Sequence, residues 1–98
     1  MANLGNRTSI TTGGQVVAVP GTAEQLPSVT VPEGYAALVT GKHLNTQRVY
    51  IGGSAAEAEA HTVSLGADDV FNEYVTNLNV IWIDVDVAGE GVDYEVAQ

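Results

Sequence analysis

The chain has 98 residues, of which 45% are hydrophobic and only 15% charged, and it contains no cysteine. That composition belongs to a single globular domain and not to a disordered segment. It excludes disulfides and Cys-based zinc as sources of stability. No apolar run approaches the roughly 20 residues of a membrane span, so no membrane partner is expected. The net charge of −9 argues against a nucleic-acid partner, because phosphate binding needs a basic surface.

The charge is unevenly placed. All three basic residues, Arg7, Lys42 and Arg48, lie in the first half, whereas ten of the twelve acids lie from Glu57 onward. Met1 to Arg7 lacks the apolar core of a signal peptide, so export by that route is not expected. Residues 1–14 are polar and rich in Gly, Thr and Asn, which reads as a flexible N-terminal arm ahead of a folded domain over 15–98.

The elements then follow in order. Residues 15–19 form a short strand closed by Pro20-Gly21, and 25–27 and 29–31 are brief extended pieces, since a residue before proline is driven toward the β region. Pro32-Glu33-Gly34 is a turn. Residues 35–40 and 48–51 are strands, and Gly52-Gly53 ends the second. Residues 54–60 are Ala/Glu-rich and could form a single helical turn, but they carry too little apolar periodicity for a full helix, so a surface loop is favoured. Residues 62–65 are a further strand. Residues 70–75 fit helical spacing through Phe71, Tyr74 and Val75, and a strand face through Phe71, Glu73 and Val75. The β-rich neighbours favour a strand.

The last eighteen residues are the most strongly patterned. Ile81, Ile83, Val85 and Val87 alternate with Trp82, Asp84 and Asp86, and Val92, Tyr94 and Val96 alternate with Asp93 and Glu95. Period-two alternation is what a half-buried strand requires. A tight turn at Gly89-Glu90 would make a hairpin pairing Val87 with Val92, Val85 with Tyr94 and Ile83 with Val96. Asp86 would then face Asp93, and Asp84 would face Glu95. Seven or eight short strands with frequent turns predict one all-β domain, either a β-sandwich or a jelly-roll-like barrel.

Five segments stand in a distinctive order: Ala23-Glu24-Gln25-Leu26-Pro27, Val31-Pro32-Glu33-Gly34, Leu44-Asn45-Thr46 before Val49-Tyr50-Ile51-Gly52, Asn77 through Ile83, and Gly89 through Tyr94. Taken together they resemble small bacteriophage virion proteins, particularly capsid decoration and accessory head proteins. The order covers roughly residues 14–96. One departure is Leu65-Gly66-Ala67-Asp68, where such proteins often carry a Leu-x-Pro-Gly turn. The resemblance implies a non-enzymatic, oligomeric virion component with a jelly-roll-like β fold and does not identify its position in the virion. The favoured expectation is the capsid surface, with the chain present in host cytoplasm during assembly. Its partners would be the major capsid protein and copies of itself, with a trimer as the first expectation. The alternative is a carbohydrate- or receptor-binding β-sandwich on a tail or fibre, which would need Tyr35, Tyr50 and Trp82 to line a groove.

Candidate residues follow from the same patterns. Like charges opposite one another on a sheet repel, so Asp84, Asp86, Asp93 and Glu95 need solvent, a basic partner or a hard cation to offset them. In a solvated setting, changing Asp84 and Asp86 to Asn leaves stability unchanged or improved. No Asp-x-Asp-x-Asp-Gly loop is present, so no metal ligand is assigned and no cofactor is expected. Trp82 and Val80, with Tyr50 and Arg48, are candidate interface residues, because aromatic and Arg anchors are enriched at contacts. Arg7 is a candidate contact of the arm with a neighbouring subunit. His43 and His61 read as surface-loop residues, and no nucleophile motif accompanies them, so no catalytic residue is assigned.

Overall fold

The alternation of β-branched and polar residues dictates short strands, and the way they pair decides where each face points. The computed structural model describes residues 8–98. The elements are β1 Ile10–Val16, β2 Glu24–Gln25, β3 Ala37–Gly41, β4 Val49–Gly52, α1 Ala55–Glu59, β5 Val63–Leu65, β6 Val70–Glu73, β7 Trp82–Val85 and β8 Gly91–Ala97. A 3-10 turn over Leu78–Val80 precedes β7. Two four-stranded antiparallel sheets pack face to face as a β-sandwich and do not close into a barrel. Sheet A has the order β1-β8-β3-β6, and sheet B the order β2-β7-β4-β5.

The pairing has a simple logic. β1 pairs with β8, β2 with β7, β3 with β6 and β4 with β5, as if one long hairpin had been rolled up. The β3–β8 and β4–β7 pairs then join the halves of each sheet. Buried side chains from both inner faces fill the core: Val39, Val92 and Val96 from sheet A meet Ile51, Ile83 and Val85 from sheet B. Burial of side chains this size contributes about 1.5–3 kcal/mol each.

The expected hairpin over 81–98 is therefore corrected. β7 and β8 are consecutive but lie in different sheets. Their apolar residues do share a core, yet they face each other across it and do not sit side by side. The physical reason is cover: two apolar strand faces in one sheet still need a second sheet over them, and crossing the sandwich supplies it. Gly89 does turn the chain at φ 85, and Gly89 N–H donates to Val17 O (2.9 Å). The carboxylate pairs proposed across the hairpin do not form, since Asp84 lies opposite Tyr50, and Asp93 lies opposite Gly14 and Thr40.

Two other boundaries differ. The strand read over 15–19 runs over Ile10–Val16, so it takes in five residues assigned to the arm, with seven consecutive residues registered on β8. Residues 1–7, including Arg7, lie outside the described residues. Residues 54–60 hold α1 and not a plain loop. Ser54 caps it by accepting from Glu57 N–H (3.2 Å), and Ala58 is fully buried beneath it. Side packing at one position replaces the apolar stripe that a longer helix would need. Gly52 makes this possible, because a Cβ there would run into the backbone of Glu57 and Ala58.

One side of the sandwich is sealed. The Glu24 carboxylate on β2 accepts from Gln15 Nε2 (2.8 Å) and from Ala18 N–H (2.8 Å), tying the β1 side to the β2 side. The opposite side, between β5 and β6, has no such tie among the described hydrogen bonds.

Candidate functional site

Alternation along β4 and β7 sends Tyr50, Gly52, Trp82 and Asp84 to the outer face of sheet B, where α1 packs over both strands. Asp84 is consequently a carboxylate with no exposure at all. Its Oδ1 accepts from Gly21 N–H (2.9 Å), and its Oδ2 lies 2.7 Å from His61 Nε2. An ionised carboxylate only accepts, so the imidazole N–H is the donor. His61 follows α1 with φ 58, a left-handed backbone that a non-glycine residue adopts only when its surroundings hold it there. Asp84 is one such hold, and the Tyr50 ring is another, stacked on the imidazole with centroids 3.7 Å apart at 9°.

Tyr50 continues the chain of contacts by donating its hydroxyl to Asp86 Oδ2 (2.6 Å). That hydrogen bond, then partial desolvation and the Asp86 charge, raise its pKa above the ordinary value of 10.0. Arg48, just before the same strand, donates from Nε to Ser64 Oγ (2.6 Å) on β5. The face thus combines an Asp–His pair with an aromatic stack, and both Asp84 oxygens, His61 Nε2 and the Tyr50 hydroxyl are each committed to a neighbour. As chemistry it is a brace: one imidazole face is covered, the carboxylate is sealed, and the hydroxyl is held by Asp86.

A second feature lies on the open side. Between the edges of β5 and β6 runs a groove of about 560 Å³. Phe71, Val75 and Ile81 form its apolar floor, and Val63 and Val80 stand half-exposed at its margin. Glu57 and Glu73 supply its charge. β5 is hydrogen-bonded only to β4, and β6 only to β3, so both flanking strands present unpaired backbone groups outward.

The sequence candidates separate between these places. Arg48, Tyr50 and Trp82 share the outer face of sheet B, with Trp82 half-buried, whereas Val80 belongs to the groove. The four carboxylates disperse. Asp84 is buried with His61, Asp86 holds Tyr50, Asp93 on the other sheet pairs with Lys42 Nζ (2.6 Å), and Glu95 is exposed. Among the described residues no group of three or more metal-ligating side chains converges.

His61 and Glu73 are the residues that sequence reasoning missed. Only strand phase hinted at Glu73, which falls with Phe71 on the inner side. Nothing in the sequence tied His61 to Asp84, 23 positions away. A further carboxylate, Glu90, holds the loop around Thr46. It accepts from the Thr46 hydroxyl (2.7 Å), Thr46 N–H (2.8 Å) and Gln47 N–H (3.1 Å), which hold its pKa below the usual carboxylate value. Compared with known proteins, the chain matches no family model, no curated protein and no solved structure.

Proposed function

We propose that this chain is a non-enzymatic phage virion protein that decorates and cements a capsid by binding the major capsid lattice. The observation that carries this reading is the open side of the sandwich, where an apolar groove runs between two unpaired edge strands. Unpaired edges invite pairing, and an apolar groove between two of them is a surface suited to docking. The rolled strand order, β1-β8-β3-β6 over β2-β7-β4-β5, is that of a jelly roll, an architecture used by viral capsid and lectin domains. That support is by analogy of fold, and it agrees with the resemblance in sequence. The mechanism is linkage: a chain that binds the assembled lattice better than free subunits stabilises the shell. A symmetric trimer would fit the local symmetry axes of such a lattice.

The test is co-sedimentation of the purified protein with tailed-phage shells stripped of their accessory protein, followed by heating. Bound chain should raise the temperature at which shells disrupt. Shells that neither bind it nor gain heat resistance overturn the reading. A glycan-array signal from the isolated chain would favour the carbohydrate-binding alternative, although neither Tyr35, Tyr50 nor Trp82 lines the groove.

A further inference from the structure

We propose that the seam between β5 and β6 takes an extended partner segment that adds as a strand to β6, carrying apolar side chains on one face and Lys or Arg beside them. The proposal rests on the docking role above and names the chemistry of what docks. Three features select the occupant.

The first is the backbone. β6 is registered on β3 along one side only, over Val70–Glu73, which leaves its other side without a strand partner; of its carbonyls, that of Glu73 already accepts from Val75 N–H (3.2 Å). β5, the edge facing it across the seam, carries no charge in Val63–Leu65, and neither edge holds a proline or a lysine. Most natural edges are guarded by such residues.

The second is the groove floor. An added strand sends alternate side chains inward, and those would meet Phe71, Val75 and Ile81 between the half-exposed Val63 and Val80. That surface accepts apolar side chains.

The third is charge. Glu73 lies opposite the fully buried Ala37, so it shares the inward phase of its strand, at the mouth of the groove. The only hydrogen bond to its carboxylate among those described comes from the adjacent Tyr74 N–H (3.2 Å). Among the described residues, Glu57 on the opposite rim accepts only from Gly53 N–H (3.0 Å), and no Lys, Arg or His lines the groove. An exposed carboxylate at the mouth of the groove, beside an unpaired edge, repels a second copy of this chain, which brings its own Glu73 and a net charge of −9. The same carboxylate pairs with a basic side chain on an incoming strand. Glu73 therefore works in both directions, against self-pairing and for a basic partner.

The probe is a short fluorescent synthetic peptide in which Val and Lys alternate, titrated into the full chain, with a Val/Glu peptide as its counterpart. The Val/Lys peptide should bind, more weakly as salt rises from about 50 to about 500 mM, and the Val/Glu peptide should not. Glu73→Lys should weaken binding by about fivefold or more. Val63→Asp should weaken it comparably, and Val16→Asp on the opposite edge should leave it unchanged. Backbone amide shifts on binding should centre on β6. Equal binding of both peptides, indifference to Glu73→Lys, or shifts centred on β1 would overturn the proposal, as would a Glu73-dependent dimer that blocks the peptide. Shell binding separates the two readings. A chain that binds the peptide but no shell keeps the seam and loses the capsid role. A Glu73→Lys chain that binds shells normally does the reverse.

Discussion

Among the described residues, Asp84 is the only charged side chain with no exposure, and its surroundings reverse an expectation drawn from sequence. On a solvated strand face, Asp84→Asn would be neutral or stabilising. Here both oxygens accept, from Gly21 N–H and from His61, so an amide nitrogen at either place would confront a donor. We expect Asp84→Asn to lower unfolding free energy by about 1–3 kcal/mol in urea titrations, while the exposed Asp86→Asn changes it little. Glu90 gives a prediction in pH. Its folded pKa lies below its ordinary value near 4.5, so its stabilising effect is complete above that value and is lost as pH falls through the folded pKa. Glu90→Gln should therefore be less stable than the parent at pH 7, with the gap closing in acid; an equal gap at about pH 3 would refute the carboxylate's role. The phase of Asp84 relative to Ile83 and Val85 was legible in the sequence. Its burial was not, because a five-residue helix and a left-handed histidine supply the cover, and neither carries a periodic signal.

At the scale of elements, the alternating pattern identified β3, β4, β7 and β8 and their core residues, because period two is a local property of each strand. It could not say which strand each would join. Ile83, Val85, Val92 and Val96 face a common core whether their strands share a sheet or oppose one another, so the pattern is equally compatible with a hairpin and with a crossing. The linker holds the discriminating clue. Five residues, 86–90, separate β7 from β8, more than the two of the tightest hairpins, and Glu90 within it is spent on the distant Thr46 loop. The first five residues of β1 escaped notice for a different reason: Thr11, Thr12, Gly13 and Gly14 look like loop, and the ladder to β8 is what holds them extended. α1 depends on its neighbour in the same way. Gly52→Ala should push α1 off β4 and cost about 1–3 kcal/mol, with the largest amide shifts at Ala58 and His61. A silent substitution would mean that α1 tolerates displacement.

At the scale of the whole molecule, one side of the sandwich is stitched by Glu24 and the other is left open, so a chain of net charge −9 presents an apolar groove on a single flank. The rolled pairing also fixes the order in which entropy must be spent during folding. β4 and β5 are joined by ten residues and can meet early, whereas β1 and β8 lie at opposite ends of the described chain and must wait for everything between them. Closing each inner pair shortens the effective loop for the next, so the sheet system should zip outward from α1. Substitutions at Val49 or Leu65 should then slow refolding, and substitutions at Thr11 or Val96 should chiefly hasten unfolding. The reverse assignment in stopped-flow experiments would show that the ends find each other first. Zipping in this order would make the last ladder to form the first to open. Native-state hydrogen exchange should then find the β1 amides opening before those of β4, even though a seven-residue ladder and the Glu24 tie hold that flank.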